Sequence, residues 1–122
     1  MGKRVLLIED EPNIIEAISF ILSRDGWTVH THADGITATD RIRATPPDLV
    51  ILDMMLPGRS GLDILRDLRG DASTAALPVM MLTARGQQRD RDLAMSLGAN
   101  HYMTKPFSNA EMLASVRTLI GV

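Results

Sequence analysis

The chain has 122 residues, 45% of them hydrophobic and 23% charged, with a formal net charge of −2 and no cysteine. That length suits one domain able to bury a core, and the lack of thiols excludes a disulfide framework and fits a reducing, cytoplasmic setting. Lysine and arginine are spread along the chain rather than gathered in a stripe, which argues against direct nucleic-acid binding, and no apolar stretch approaches the ~20 residues that cross a bilayer.

Val5 to Ile8 form a short apolar run ending in Glu9-Asp10-Glu11-Pro12. The run is too short for the core of a secretion signal. Leu6 stands where a myristoylation start at Gly2 would need Ser or Thr. Pro12 suits a helix's first turn, and Ile14, Ile15, Ile18, Ile21 and Leu22 follow at helical spacing up to Asp25-Gly26. "WTVHT" predicts a strand with Trp27, Val29 and Thr31 on one side. A weaker helix is predicted from Ala33 to Ala44, carrying Ile36 and Ile42 and stopped by Pro46-Pro47. Leu49 to Met54 is the next strand, followed by a helix from about Ser60 to Gly70. "PVMMLTA" predicts a strand, Gln88 to Leu97 a helix closed by Gly98, and "NHYMT" a short strand. Ser108-x-x-Glu111 forms a capping box ahead of Met112, Leu113, Val116, Leu119 and Ile120.

Strand and helix thus alternate five times without a repeat or linker. Such alternation implies an α/β fold, a doubly wound parallel sheet with helices on both faces. The continuous apolar runs "VLLI" and "LVIL" agree, because strands buried on both faces lose their in-out alternation. Right-handed crossovers leave few windings, and the flavodoxin-like (βα)5 order 2-1-3-4-5 places the site outside the carboxyl ends of strands 1 and 3.

At that edge the first strand delivers Glu9 and Asp10, the third Asp53, the fourth Thr83 and the fifth Lys105-Pro106. Taken singly, each has an ordinary explanation. Asp10 caps a helix, Thr83 is a satisfied strand-end hydroxyl, and Lys105 is solvated. Their joint placement has none. Two carboxylates about 4 Å apart repel by roughly 4 kcal/mol at an effective dielectric of about 20, so three at one edge call for a cation, a raised pKa, or both. Hard carboxylate oxygens suit Mg²⁺, with Mn²⁺ able to substitute. A carboxylate beside such an ion, an ammonium and a hydroxyl can act as a nucleophile toward a phosphoryl group. His30 and His32 share one face of the second strand, but no third ligand accompanies them, and the metal reading there is disfavoured. The eight methionines read as core filler.

The blocks "LLIEDE", "LVILDMMLPGRSGLDIL", "PVMMLTA" and "GANHYMTKPF" resemble, in order, the signature blocks of the receiver domains of two-component response regulators. The resemblance covers essentially the whole chain. It implies one receiver domain over residues 1–122, stand-alone or cut from a longer regulator or hybrid kinase. Asp53 is then the phosphoacceptor for a sensor histidine kinase or phosphotransfer protein. Asp10 binds Mg²⁺ directly, Glu9 directly or through water, and Met55 contributes its backbone carbonyl. Thr83 and Lys105 match the family's hydroxyl and lysine, and Tyr102 its aromatic switch position. Met54, Met55, Ala84 and Arg85 flank the phosphoryl group, and Lys105-Pro106 has a cis peptide bond, which proline makes accessible. Such a domain is a phosphoacceptor that assists its own phosphorylation and dephosphorylation, not a turnover enzyme. Phosphorylation adds about −1.5 to −2 charges, draws Thr83 inward with Tyr102 following, and changes the surface of the fourth helix, fifth strand and fifth helix that addresses an effector or output domain.

Position 9 carries Glu instead of the family's commoner Asp. Met55 is neither carboxylate nor amide and cannot orient an attacking water, nor can Arg85, which implies a long-lived phosphoaspartate shielded by Met55. The charged dimer face of receivers attached to winged-helix regulators lacks several partners: Asn100-His101 stand where acids are usual and Ser115 where a base is, although Glu111 and Arg117 remain. The chain is expected to be a monomer or a phosphorylation-dependent dimer. Two other classes fit the residues less well. A haloacid-dehalogenase-type phosphatase would need a second Asp at Met55. A flavodoxin-like flavin binder would need a hydroxyl- and glycine-rich loop where "EDEP" stands.

Overall fold

The computed structural model describes residues 3–84 and 86–121. In chain order the elements are β1 (Arg4–Ile8), α1 (Pro12–Arg24), β2 (Thr28–His32), α2 (Ala38–Ala44), β3 (Leu49–Asp53), α3 (Gly61–Gly70), β4 (Val79–Thr83), α4 (Gln88–Ser96), β5 (His101–Thr104) and α5 (Asn109–Ile120). The sheet is parallel throughout with order β2-β1-β3-β4-β5. This is the doubly wound topology expected from the alternation.

The pleat sorts the core into two halves. Leu6, Ile8, Val50, Leu52, Val79 and Met81 pack against residues of α2, α3 and α4. Val5, Leu7, Leu49, Ile51, Met80 and Leu82 pack against Ile18, Ile21 and Leu22 of α1 and Met112 and Val116 of α5. Neighbouring residues of a strand face opposite sides, so a run such as "LVIL" must be apolar at every position. β1 beyond Arg4, β3 and β4 are buried accordingly. β2 is an edge strand and stays mixed, with Thr31 exposed. Met54, Met80, Met81, Met103 and Met112 are buried as core filler, but Met55 and Met95 are exposed, so the core-filler reading is corrected for those two.

Element ends follow local chemistry. Ser108 and Glu111 form the reciprocal capping box of α5. The Ser60 side chain accepts the Leu62 N–H to open α3. The expected start of α2 at Ala33 is corrected to Ala38. Asp34 explains the delay: its side chain accepts the Ile36 N–H and the Thr37 hydroxyl, holding residues 34–37 in a turn. Ile36 is therefore not a helical core residue. It is exposed and lies over Gly58, whose φ of +82° suits glycine and where a Cβ would meet the Ile36 side chain. The turn also bonds across to the segment after β3, Gly35 N–H donating to Pro57 O at 3.1 Å.

Candidate functional site

Parity carries three charged side chains to one place. Glu9 continues the series Val5-Leu7, Asp53 the series Leu49-Ile51, and Lys105 that of Met103, so all three fall on the α1/α5 side at the carboxyl edge. Lys105 Nζ stands 2.8 Å from Glu9 Oε1, 2.9 Å from Glu11 Oε1 and 3.6 Å from Asp53 Oδ2. Glu9 is fully buried. Its other oxygen, Oε2, accepts the backbone N–H groups of Asp10 and Glu11, both at 3.1 Å. Asp53 is also buried, and its Oδ1 accepts the Met55 N–H at 3.2 Å.

These surroundings set the ionisation. The Asp53 carboxyl is pushed up from 3.8 to about 7, chiefly by burial and further by the charge of Glu9, against the pull of the Met55 N–H and Lys105. Burial works against the Lys105 ammonium, yet its contacts with Glu9 and Glu11 outweigh that and hold its pKa above the ordinary value.

The segment after β3 is shaped by a glycine. Gly61 N–H donates to Met54 O at 2.9 Å, and a Cβ on Gly61 would come within 2.2 Å of Asp53 O. The first turn of α3 thus lies against the backbone that carries Asp53, a closeness only glycine permits. Thr83 is fully buried at the end of β4, and Lys105 N–H donates to Thr83 O at 2.7 Å, tying the ends of β4 and β5. Tyr102 is buried in the α2-α3-α4 half of the core with Ala94 and Ala99. The Lys105-Pro106 peptide bond is cis.

Of the residues singled out in the sequence, Glu9, Asp10, Asp53 and Lys105 come together, with Thr83 one register step beyond Asp53's neighbour Leu82. Met54 turns its side chain into the core, whereas Met55 and Ala84 are exposed. Arg85 lies outside the described residues. Arg117 leaves the face on which it was expected: it pairs with Asp25 at the end of α1. His101 and Ser115 are in contact, Nε2 to Oγ 3.1 Å. Two residues were missed. Glu11 holds Lys105, and its only mark in the sequence is a Glu, a poor capping residue, directly before the Pro12 that opens a helix. Gly61 was visible only as the residue after a good N-cap.

Carboxylate oxygens of Glu9, Asp10 and Asp53 all lie within 4.8 Å of one another, the sole such group among the described residues. Hard oxygens converging beside one ammonium fit Mg²⁺. The His30–His32 pair gathers no third ligand, and His32 Nε2 lies 2.8 Å from Thr37 Oγ1.

A doubly wound sheet with an acid cluster and a lysine at its switch point defines a class of α/β protein whose site suits phosphate and a divalent ion. The comparisons narrow that class. The family model described as the response regulator receiver domain matches residues 5–117. The phosphate regulon transcriptional regulatory protein PhoB of Klebsiella pneumoniae is 40% identical over 120 residues, covering 98% of this chain and 52% of its own length. The chain thus spans about half the length of the curated relatives it matches. Among solved structures, the receiver domain of the sensor histidine kinase PA1611 of Pseudomonas aeruginosa, with magnesium coordinated in its active-site cleft, superposes with a TM-score of 0.90 at 32% identity over all of both chains. The BeF3-activated receiver domain of Klebsiella pneumoniae RstA gives 0.89 at 32% identity, covering 96% of this chain and 97% of that one. The chain belongs to the response regulator receiver domain family of two-component signalling. No described helix is long and apolar enough to cross a membrane.

Proposed function

We propose that the chain, read as one receiver domain over residues 1–122, accepts a phosphoryl group on Asp53 from a histidine kinase or phosphotransfer protein and relays that event to an effector or output domain. The observation that carries this reading is a buried carboxyl set between an acidic cluster and the Lys105 ammonium 3.6 Å away. Glu9, Asp10, Asp53 and the Met55 carbonyl are the groups that would hold Mg²⁺, or Mn²⁺ in its place. Such an ion supplies positive charge to phosphoryl oxygens and favours the ionised form of Asp53.

An Asp53 oxygen attacks phosphorus, the P–N bond to the donor imidazole breaks, and the ring leaves with that electron pair. Among the described residues, Lys105 places its positive charge 3.6 Å from Asp53 Oδ2, and the Met55 N–H steadies Oδ1, leaving Oδ2 facing the lysine. The Thr83 hydroxyl and Tyr102 are proposed as the responding pair. They occupy one side of the sheet, the α4 side, which supports a coupled movement. The surface they would change is a shallow groove between α4, β5 and α5, lined by Arg91, His101, Thr104, Glu111 and Ser115. With Arg117 engaged by Asp25, that face carries fewer charges than an ion-pair dimer needs. A monomer, or a dimer formed only on phosphorylation, follows. Met55 stands where an aspartate-nucleophile phosphatase would need its acid, and "EDEP" stands where a flavin phosphate would bind, so neither alternative gains support.

Beryllofluoride with Mg²⁺ tests the reading. The Tyr102 ring signals should shift in the NMR spectrum, and Asp53→Asn should abolish the shift. Trp27 is the poorer reporter, because it precedes β2 at the opposite edge of the sheet. Unchanged Tyr102 signals in the unsubstituted protein would refute the proposal.

A further inference from the structure

Glu11 is unusually placed for a helix N-cap. Its backbone opens α1, but its side chain makes no cap hydrogen bond, and glutamate is not a favoured capping residue. Its carboxylate instead reaches a lysine 94 positions away, Oε1 to Lys105 Nζ 2.9 Å. It stands apart from the carboxylates suited to the metal, which are those of Glu9, Asp10 and Asp53.

An ammonium has three N–H donors, and Lys105 faces three acids. Two contacts are close, Glu9 at 2.8 Å and Glu11 at 2.9 Å, and the third, Asp53, is left at 3.6 Å. The close pair is unequal. Glu9 is buried and locked by two backbone N–H groups, whereas the Glu11 side chain is 57% exposed. When anionic charge builds on Asp53, the contact with Glu11 is the one that yields most easily.

From this geometry we infer that Glu11 is a positioning residue that holds Lys105 back from Asp53 until a phosphoryl group competes for the lysine. The inference rests on the proposed phosphoryl transfer to Asp53. Glu11 makes a receiver harder to load and slower to respond to weak donors, by the worth of one exposed ion pair, roughly 1.5- to 5-fold.

The length of the side chain separates contact from charge. Glu11→Gln removes the charge, and Glu11→Asp keeps it but falls a methylene short of Lys105. Beryllofluoride affinity at fixed Mg²⁺ is measured by titration for the unsubstituted protein and both variants, with circular dichroism as the check on folding. The ¹⁵N signal of Lys105 Nζ, recorded without metal, reads the contact independently. Tighter beryllofluoride binding in both variants, with the Nζ signal shifted in both, is the expected result. Tighter binding in Glu11→Gln alone would overturn the inference, since bulk charge would then suffice. Equal or weaker binding in Glu11→Gln would overturn it too. If the unsubstituted protein binds no beryllofluoride, the proposed function itself fails and this inference falls with it, a pattern distinct from the others.

Discussion

Replacing Asp53 with Asn removes a carboxyl whose pKa lies at about 7 in the folded, metal-free chain, against an ordinary 3.8. The folded state therefore holds this proton more tightly than the unfolded chain does. Between pH 3.8 and about 7 the contribution of this carboxyl to stability falls as pH rises, and above about 7 the whole cost of burying its charge is present. At about 1.4 kcal/mol per pH unit, that interval corresponds to roughly 4 kcal/mol as an upper figure. Asparagine keeps an oxygen for the Met55 N–H but gives Lys105 no charge, which returns part of the gain. Asp53→Asn is thus expected to stabilise the metal-free protein by about 2–3 kcal/mol at pH 8. For a domain of this size that raises the melting temperature by roughly 8–12 °C. Near pH 4 the difference should vanish. Urea denaturation in EDTA at both pH values, read by Trp27 fluorescence, gives the comparison. An Asp53→Asn variant no more stable than its parent at pH 8, or one whose advantage grows on acidification, would refute the reasoning.

Gly61→Ala should cost about 1–3 kcal/mol by overpacking, and because the clash is with the backbone of Asp53 it should also weaken beryllofluoride binding; chemical denaturation and a titration read the two effects. Met55→Asn places an amide beside the proposed phosphoaspartate and should shorten its lifetime, measured as phosphate loss in Mg²⁺ without any phosphatase; an unchanged lifetime would remove the proposed shielding role. Arg117 holds the Asp25 carboxyl below its usual range, with the Trp27 N–H helping. The α1–α5 tie is therefore intact at neutral pH and is lost as pH falls through that lowered value, so Asp25→Asn should be less stable than its parent at pH 7 and converge with it in strong acid. Sedimentation with and without beryllofluoride should show a monomer in the resting state, and any dimer only with the mimic.

What could be read in the sequence follows from how local its causes are. The buried strands β1, β3 and β4 announce themselves because each must be apolar on both faces. The alternation and the crossover rule then bring Glu9, Asp10, Asp53 and Lys105 to one edge without knowledge of any contact. The start of α2 was hidden because the Asp34 turn competes with a helix through side-chain hydrogen bonds, while Ile36 mimics a helical core position. Arg117 was assigned to the wrong face because Asp25, its partner, is 92 residues distant. Glu11 and Gly61 escaped for a related reason: what each does is defined by a contact across the fold, with Lys105 in one case and the backbone of Asp53 in the other.

Covalent loading tests the central claim most directly. The protein is incubated with Mg²⁺ and phosphoramidate, reduced with borohydride, and mapped by mass spectrometry. One hydroxylamine-labile phosphoryl group per chain is expected, with homoserine at Asp53 after reduction, and neither in EDTA or in Asp53→Asn. A phosphoryl group on another residue, or none at all with Mg²⁺ present, would contradict it.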